Sequence, residues 1–185
     1  MSIRPPFKID NQTYDLCHLN NKVFTYTREG KDDIPDKTIK FLFSYSDHCF
    51  TDHYGDENYI YKEPPSKKER YFCKLRYKLS LGLPDLLKGI IKSNPYVLMT
   101  FVEHSEQFFY VEQNYQDETY RVFLEISPLK DKVSGSIEGV RIDVRSAYDE
   151  KSHATTVSGS DYLKIWKIID ARMTGVKLNR KKKKR

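Results

Sequence analysis

The sequence has few cysteines and no long apolar run. Its cysteines are Cys17, Cys49 and Cys73, and an odd number at wide spacing is not the pattern of a disulfide-stabilised secreted domain. No segment approaches the roughly 18 continuous apolar residues of a membrane-spanning helix. The N-terminal stretch MSIRPPFKIDNQTYD also lacks the apolar core of a signal peptide. These absences predict a soluble cytoplasmic protein whose thiols are reduced.

Several motifs that mark particular reactions are missing as well. The chain contains no P-loop, no GxGxxG, no HExxH and no GxSxG, which disfavours nucleotide hydrolysis, dinucleotide chemistry and zincin proteolysis. The acidic stretch at residues 117–126 lacks the carboxylate spacing of a calcium loop. The sequence therefore predicts no cofactor, and it contains no signal for a particular oligomeric state.

The excess of positive charge belongs to a short C-terminal segment. The chain has 32 basic and 26 acidic side chains, a net charge of +6. Lys177–Arg185 holds seven basic and no acidic residues, which leaves 25 basic against 26 acidic residues, a net charge of −1. Because like charges in a row repel, we predict that this basic tail is disordered. It can attract nucleic acid or anionic lipid, and a purely solubilising role is the alternative.

The apolar pattern predicts a single α+β domain over residues 1–176, a mostly antiparallel sheet of short strands with one or two packed helices. Aromatic residues are 14% of the chain, with 14 Tyr and 10 Phe, which favours β structure. The clearest strand is Thr38–Ser46, in which apolar side chains alternate. The other predicted strands are Tyr14–His18, Val23–Thr27, Tyr96–Val102, Phe108–Gln113, Tyr120–Ile126, Val140–Ala147 and Tyr162–Ile169, the last with a pattern that also fits a helix.

Two helices and two irregular segments complete the predicted domain. A capping box at Ser66–Glu69 predicts a helix over residues 67–79. A proline suited to a first helical position and an apolar stripe predict a second helix, Pro84–Lys92. Residues 1–12 are expected to form an irregular arm, and residues 47–65 a long polar loop that is either functional or mobile.

Cysteine and histidine side chains lie close together in sequence at several points. These residue types are the preferred ligands of zinc. However, the chain has no CxxC or HxxxH spacing, and neighbours on a strand point to opposite faces. We therefore predict no metal site, with a small zinc-stabilised module as an alternative. The residues concerned are Cys17, His18, His48, Cys49, His53 and Cys73.

His48 lies where the clearest predicted strand runs into the predicted loop. A histidine titrates near neutral pH and can act as a general acid or base. Asp47 and Asp52 are close to it in sequence, but the spacing identifies no nucleophile. The alternative is that His48 only forms hydrogen bonds within its own loop.

A row of charged residues is predicted on the strand that ends in Ser-Ala-Tyr. Arg141, Asp143 and Arg145 share one face of that strand, while Ser146 lies on the other. Two guanidinium groups in a row can bind phosphate in a bidentate manner, and Arg121 on the neighbouring predicted strand can extend the row. A salt-bridged ladder facing solvent is the alternative, and the commoner arrangement.

The order of several segments resembles a known group of proteins. FSYSDHCFT, ERYFCKLRYKLSLGLPDLL, FFYVEQ, YRVFLEI and VRIDVRSAY are similar to segments of small, uncharacterised bacterial proteins associated with phages and mobile elements, and the likeness spans residues 14–170. The helical Leu-Pro segment and the meander ending in Ser-Ala-Tyr also resemble the phage-associated branch of the Barnase–EndoU–RelE-like nuclease superfold. That resemblance implies helices packed on a four-stranded antiparallel sheet and RNA cleavage without a metal.

The resemblance also implies roles for particular residues. His48 is the expected acid or base, Arg145 the phosphate ligand, and Ser146 or Tyr148 an additional hydrogen-bonding group. Such cleavage needs a base for the 2′-hydroxyl and cations that stabilise the phosphorane. The chain departs from the superfold in its slightly acidic body and in the lack of a second histidine with an evident place on the sheet.

The sequence thus predicts an RNA-binding or metal-independent ribonuclease-like protein of a mobile element. RNA is the predicted partner, and the predicted phosphate-binding residues are Arg121, Arg141 and Arg145. One alternative is a non-catalytic module that binds a protein partner through its antiparallel sheet. The zinc-stabilised module is the other.

Overall fold

The computed structural model describes residues 3–9, 11–30, 35–54, 59–63, 67–102, 105–115, 118–150, 161–176 and 178. Within these ranges the chain has the predicted α+β class, with mostly antiparallel strands. The α-helices are Lys74–Ser80 (α1), Leu83–Ser93 (α2) and Ile165–Thr174 (α3). The strands are Phe7–Ile9 (β1), Gln12–Tyr14 (β2), Lys22–Arg28 (β3), Lys37–Tyr45 (β4), Thr51–Asp52 (β5), Tyr59–Glu63 (β6), Lys68–Phe72 (β7), Tyr96–Val102 (β8), Ser105–Tyr115 (β9), Glu118–Lys130 (β10), Ile137–Asp149 (β11) and Asp161–Lys164 (β12).

Seven of the strands form the main sheet, in the order β12-β8-β9-β10-β11-β4-β3. Neighbouring strands are antiparallel except β11 and β4, which are parallel. β4 confirms the strand predicted over Thr38–Ser46, and its alternate side chains from Ile39 to Tyr45 are 5% exposed or less. The five other strands predicted between Val23 and Ala147 are confirmed, β8 with the predicted bounds and the other four as parts of longer elements.

Helices α2 and α3 cover one face of the main sheet. α2 confirms the helix predicted over Pro84–Lys92, with proline in its first turn and Asn94 in the left-handed conformation after its last. The indole nitrogen of Trp166 in α3 donates to the carbonyl oxygen of Ile91 in α2 at 2.9 Å. The same indole packs edge-on against Phe41 of the sheet, with ring centroids 6.2 Å apart. Trp166 therefore joins both helices to the sheet in one apolar core.

The end of the domain differs from the prediction of a strand over Tyr162–Ile169. Only Asp161–Lys164 is a strand, and α3 begins at the next residue. Ile165, Ile168 and Ile169 are each 0% exposed, which is the i, i+3, i+4 spacing of a buried helix face and not the alternation of a strand. The strand prediction was wrong for this half of the segment, where the alternative helical pattern holds.

The irregular arm predicted over residues 1–12 contains a strand, Phe7–Ile9, and the first residue of the next, while residues 3–6 are irregular as predicted. β1 pairs with β2, and Phe7 stacks on Phe72 of β7 with ring centroids 5.0 Å apart. Contact with the core thus orders a segment that has little local signal. The strand predicted over Tyr14–His18 was wrong beyond its first residue, because Cys17–Leu19 forms a 3₁₀ turn.

A small three-stranded sheet, in the order β5-β7-β6, occupies a region predicted to be irregular or helical. β5 and β6 lie within the loop predicted over residues 47–65, and β7 lies within the helix predicted over residues 67–79. Both predictions were wrong there. Burial alternates along β7, with Arg70 and Phe72 inside, so pairing with β5 and β6 overrides the capping-box pattern. Ser66 of that pattern lies outside the described residues.

Most of the basic tail also lies outside the described residues. Of Lys177–Arg185 the structure describes Leu178, which packs against the apolar core. The disorder predicted for the tail stays a prediction. None of the helices in the described ranges is long and apolar enough to cross a membrane.

Candidate active site

The turn that carries His48 is anchored on strand β11. The chain leaves β4 through a 3₁₀ turn, Asp47–Cys49. Ser46, just before it, donates from its amide to the carbonyl oxygen of Val144 at 2.9 Å and from its hydroxyl to that of Arg145 at 2.6 Å. The amide of His48 donates back to the Ser46 hydroxyl at 3.3 Å. These bonds hold His48 at the edge where β4 ends beside β11.

Arg4, near the start of the chain, fixes the same turn. Its guanidinium donates to the carboxylate of Asp47 and to the carbonyl oxygen of Tyr45. Its amide donates to the side-chain oxygen of Asn20 at 2.8 Å. The N-terminal segment therefore connects the Cys17–Leu19 turn to the turn that carries the histidine.

A second histidine lies beside the first. The ring centroids of His48 and His53 are 6.1 Å apart, with the ring planes at 77°. His53 directly follows β5, and both histidines are half-buried. The amide of His53 donates to the carboxylate of Asp52 at 2.6 Å. Two imidazoles this close can act on the same phosphodiester, one as base and the other as acid.

Arg70 of β7 orients the ring of His53. Its side chain is 1% exposed, and it donates to the hydroxyl of Thr51 at 2.6 Å and to the carbonyl oxygen of Thr51 at 3.0 Å. Nη1 of Arg70 lies 2.9 Å from Nε2 and 3.2 Å from Nδ1 of His53, and because a guanidinium only donates, a ring nitrogen of His53 accepts. Nδ1 also lies 3.4 Å from the carbonyl oxygen of Glu69. Arg70 thereby fixes the position of the His53 ring.

Arg76 of α1 links both histidine-bearing segments to β11. It is 4% exposed and forms an ion pair with Asp52 at 3.0 Å. Its Nη1 donates to the carbonyl oxygens of His48 at 3.2 Å and Thr51 at 2.7 Å. The guanidinium also lies over the ring of Tyr148, 5.2 Å from the centroid, where the negative face of the ring attracts it. The buried guanidinium of Arg76 thus contacts four residues of the cluster, namely His48, Thr51, Asp52 and Tyr148.

Tyr148 is a neutral phenol in this cluster. Burial raises the pKa of Tyr148, although the positive charges of Arg121 and Arg76 act in the opposite direction. Its ring stacks on Phe123 of β10, with centroids 5.6 Å apart and planes at 26°. A protonated phenol can donate a hydrogen bond, so Tyr148 can serve as a donor beside the arginine.

Positive charge is concentrated in the segment that forms β7 and most of α1. Residues 67–78 contain six basic residues and one acidic residue, a net charge of +5. The part of the chain before the tail has a net charge of −1, so this segment is a local exception. The six basic residues are Lys67, Lys68, Arg70, Lys74, Arg76 and Lys78.

The arginines predicted to bind phosphate lie on the main-sheet face opposite α2 and α3, which we call the outer face. All three are ion-paired with carboxylates in the salt-bridged ladder that the sequence left as an alternative. The pairs are Arg141–Asp143 at 2.8 Å, Arg145–Glu125 at 3.8 Å, Arg121–Glu112 at 3.2 Å and Arg121–Glu150 at 2.5 Å.

A β-bulge changes which residues share the outer face. The pairing of β10 with β11 shifts register and leaves Arg145 as an extra residue. Val144 and Ala147 are both 0% exposed although they are three positions apart. Ser146 therefore lies on the same face as Arg145 and Tyr148, and its predicted place on the opposite face was wrong. The regular alternation of the sequence contains no signal for this bulge.

The structure brings together some of the predicted site residues. His48 and Tyr148 both contact Arg76, and Arg121 lies directly across from Tyr148 in the sheet. Arg141 lies up to about 23 Å from Tyr148 along β11, at about 3.3 Å per residue, and so stands apart from the cluster.

Sequence reasoning missed three members of the cluster. His53 was placed in a loop, and Arg70 and Arg76 in one continuous helix. The available signal was the alternation in Lys-Glu-Arg-Tyr-Phe at residues 68–72, which fits a strand as well as a helix. An arginine at an inward position of that strand would have indicated a buried polar site.

The described residues offer no metal-ligand set. Within the described ranges, no group of three or more His, Cys, Asp or Glu side chains is placed to hold a metal ion, so the zinc alternative gains no support there. The cysteines are free. Burial raises the pKa of Cys49 to about 12, so its thiol stays protonated at neutral pH.

Comparison with known proteins gives the family. No curated protein and no solved structure matches the chain. The model of one family, the YjaZ family, matches residues 6–173. The match spans the three described sheets, helices α1 and α2, α3 except for its last residue, and the histidine–arginine cluster. The chain belongs to the YjaZ family.

Proposed function

We propose that the protein binds RNA and cleaves it without a metal, as a ribonuclease-like protein of a mobile element. The observation that carries the proposal is the pair of imidazoles of His48 and His53, 6.1 Å apart. They lie beside two guanidinium groups, of Arg70 and Arg76, that are 1% and 4% exposed. Cleavage of RNA by its own 2′-hydroxyl needs such a base, an acid and positive charge at the phosphate.

The proposed reaction is a transesterification. One imidazole takes the proton of the 2′-hydroxyl, and the 2′-oxygen attacks the adjacent phosphorus. The other histidine, as imidazolium, donates a proton to the 5′-oxygen as its bond to phosphorus breaks. The products are a 2′,3′-cyclic phosphate and a free 5′-hydroxyl, and no metal, oxidant or reductant takes part.

The arginines and Tyr148 stabilise the charge that develops on the phosphorane. Arg70 and Arg76 are almost fully buried, and a charge in such surroundings exerts a stronger field than the same charge in water. The neutral phenol of Tyr148 can donate to a non-bridging phosphate oxygen.

The order of elements also supports the proposal. Helices α1 and α2 precede an antiparallel meander, β8 to β11, which is the order that the resemblance to the Barnase–EndoU–RelE-like superfold implies. The association with phages and mobile elements belongs to the same proposal and rests on the resemblance of the sequence segments alone.

An aromatic row on the outer face favours a second candidate function, a non-catalytic module that binds a protein partner. The rings of Tyr110 and Phe123 are 5.1 Å apart, and those of Phe123 and Tyr148 are 5.6 Å apart. Aromatic side chains are enriched at the centres of protein interfaces. A stoichiometric partner that co-purifies with the wild-type protein and is lost in Phe123→Ala would favour this function.

The ribonuclease proposal is tested by incubating the purified protein with end-labelled RNA in EDTA. We expect fragments that end in a 2′,3′-cyclic phosphate, and no cleavage of the same strand carrying 2′-O-methyl groups. His18→Gln serves as the control, because His18 lies in the other 3₁₀ turn and bonds to Ser80 instead of the cluster. If wild-type protein leaves the RNA intact, or if His48→Ala cleaves as fast as the control, the proposal is wrong.

A further inference from the structure

Strand β3 forms one edge of the main sheet. It pairs with β4 on one side, and no strand within the described ranges pairs with its other side. An edge strand directs a row of backbone N–H and C=O groups away from its only neighbour. The backbone of β3 can therefore form hydrogen bonds with one more strand.

β3 lacks the features that commonly protect such an edge. Its pairing with β4 runs from Lys22 to Arg28 without a shift of register, and its sequence, KVFTYTR, contains no proline. The residues between the two terminal cations are uncharged and favour β structure. Flat, uncharged edges pair readily with another chain, so this edge is suited to a partner strand.

The opposite edge of the main sheet differs from β3. Strand β12 has four residues, and two of them, Asp161 and Lys164, are charged. Helix α3 begins at the next residue and ends the strand. Short edge strands with charged side chains discourage pairing. The two edges thus differ as expected if β12 faces solvent and β3 is covered by a partner.

The side chains of β3 also leave apolar surface at this edge. Val23 on the outer face is 49% exposed, and Thr25 and Thr27 on the same face are exposed. On the inner face, Phe24 and Tyr26 are half-buried, with ring centroids 6.3 Å apart. These rings lie at the margin of the apolar core, where a further strand would cover them.

The sequence of β3 is complementary to itself in an antiparallel pair. When Thr25 lies opposite its own equivalent, Val23 lies across from Thr27 of the second copy. Phe24 then lies across from Tyr26, an aromatic pair of the kind that stabilises sheets. Self-complementarity of this kind is the property of a two-fold interface between identical chains. It favours a second copy of this chain as the occupant over an unrelated strand.

The terminal cations of β3 are compatible with this register. Lys22 lies across from Arg28 of the second copy, but Arg28 is held against its own chain. Its guanidinium donates to both carboxylate oxygens of Asp170 in α3, at 3.0 and 3.3 Å. It also lies over the ring of Trp166, 4.5 Å from the centroid. These contacts direct the charge of Arg28 toward α3 and not toward the new neighbour.

We propose that two copies of this chain form a dimer through antiparallel pairing of their β3 strands about a two-fold axis at Thr25. The main sheets of the two copies become one continuous sheet. Because opposed residues share a face, the axis is perpendicular to this sheet, and the helices of both copies lie on the same side of it. The inference goes beyond the proposed cleavage, since no residue of β3 belongs to the histidine–arginine cluster.

Site-specific cross-linking tests the dimer and its register together. Opposed residues of antiparallel strands have Cα atoms about 4.5–5.5 Å apart, a distance that a disulfide can bridge. In a Cys17→Ser background, which removes the exposed native thiol, we expect Thr25→Cys to give covalent dimers on mild oxidation. Val23→Cys and Thr27→Cys should cross-link when the two variants are mixed, and not when either is oxidised alone.

Analytical ultracentrifugation measures the non-covalent dimer. Thr25→Lys places two like charges directly opposite each other, so we expect the dissociation constant of the dimer to rise about tenfold or more. Thr38→Lys is the matched control, because Thr38 is also exposed but lies on β4, one strand away from the edge. This control should keep the wild-type dissociation constant.

Three results would overturn the proposed dimer. The first is wild-type protein that stays monomeric at every concentration in the centrifuge. The second is failure of Thr25→Cys to form covalent dimers. The third is a dimer that Thr25→Lys weakens no more than Thr38→Lys does, because the contact would then lie elsewhere on the molecule.

Discussion

Two ion pairs of the described structure, one on the main sheet and one between α1 and the small sheet, differ in their burial. On the outer face of the main sheet, Arg145 and Glu125 are 53% and 47% exposed in their ion pair. Between α1 and strand β5 of the small sheet, the paired side chains of Arg76 and Asp52 are 5% and 12% exposed. The chemistry is the same, a guanidinium beside a carboxylate, but the surroundings differ.

The difference in burial indicates which of the two ion pairs does more than keep the protein soluble. An exposed pair loses little on folding and contributes about 0–1 kcal/mol. A buried pair must be removed from water, a cost that an apolar pair of similar size would not have. The exposed pair on the main sheet stays in water, whereas Arg70 of the small sheet and Arg76 of α1 are buried beside two imidazoles. This comparison supports placing the reaction at the small sheet.

Removing a histidine of the cluster is expected to have the largest effect. His53→Ala and His48→Ala each delete one proton-transfer group, so we expect RNA cleavage to slow about 10²–10⁴-fold. The measurement is the rate at which each variant cleaves end-labelled RNA in EDTA. Arg141→Ala, at the far end of the outer face, is the control and should keep the wild-type rate. Equal losses of cleavage rate in all three variants would contradict the placement of the reaction at the small sheet.

Breaking the buried ion pair comes next. Arg76→Ala leaves the carboxylate of Asp52 without the partner seen at 3.0 Å, and we expect the free energy of unfolding to fall by about 3–5 kcal/mol. Arg145→Ala removes one exposed partner and should cost less than about 1 kcal/mol. Urea unfolding of both variants checks the difference. Similar losses would mean that burial does not separate the two pairs.

The main sheet has its own sensitive position where β11 approaches β4. A Cβ built on Gly139 would overlap the carbonyl oxygen of Lys40 in the neighbouring strand, so Gly139→Ala must push the two strands apart. We expect a loss of about 1–3 kcal/mol. At Gly89, on the exposed side of α2, a Cβ meets nothing within 4 Å.

Gly89→Ala is therefore the matched control for that position, and it should stabilise the protein by about 0.5–1 kcal/mol. Thermal unfolding of both glycine variants provides the measurement. Destabilisation by Gly89→Ala, or tolerance of Gly139→Ala, would contradict the close approach of the two strands.

The smallest expected effect is on the pH dependence of stability and concerns His18, which bonds to Ser80 outside the histidine–arginine cluster. Burial lowers the pKa of His18 below 6.5, although the backbone and charge of Asp15 act in the opposite direction. In the interval between the lowered pKa and 6.5, the unfolded chain binds more protons than the folded one. Stability therefore rises with pH through this interval and is lost on acidification.

Unfolding in urea at several pH values below about 7 tests this dependence. His18→Gln cannot titrate and should flatten the part of the pH dependence that His18 contributes. A steeper loss of stability in the variant than in the wild type would contradict the assignment.

Much of the main sheet was predictable because its signal is local. Along β4 the side chains from Ile39 to Phe43 alternate between buried and partly exposed, and period two is direct evidence for a strand. α2 was equally clear from Pro84 and its apolar stripe. The segment of α3 is too short and too rich in isoleucine for its pattern to distinguish helix from strand, and contact with the core decides it.

The small sheet was not predictable in the same way. β5 has two residues and β7 five, so neither provides enough positions for a reliable period. Arg70 occupies an inward position where an apolar residue is expected, and its bonds to Thr51 and His53 satisfy the guanidinium there. The candidate site was therefore found half from the sequence, through His48 and Tyr148, and half from pairing between distant segments.

The most direct test of a phosphate site at the small sheet is a titration of the histidine NMR signals with a nucleoside 3′-monophosphate. The signals of His48 and His53 should shift together and saturate, while the signal of His18 should stay in place. Shifts at His18 as large as those at the pair, or no saturable shift at His48 and His53, would contradict the location of the site.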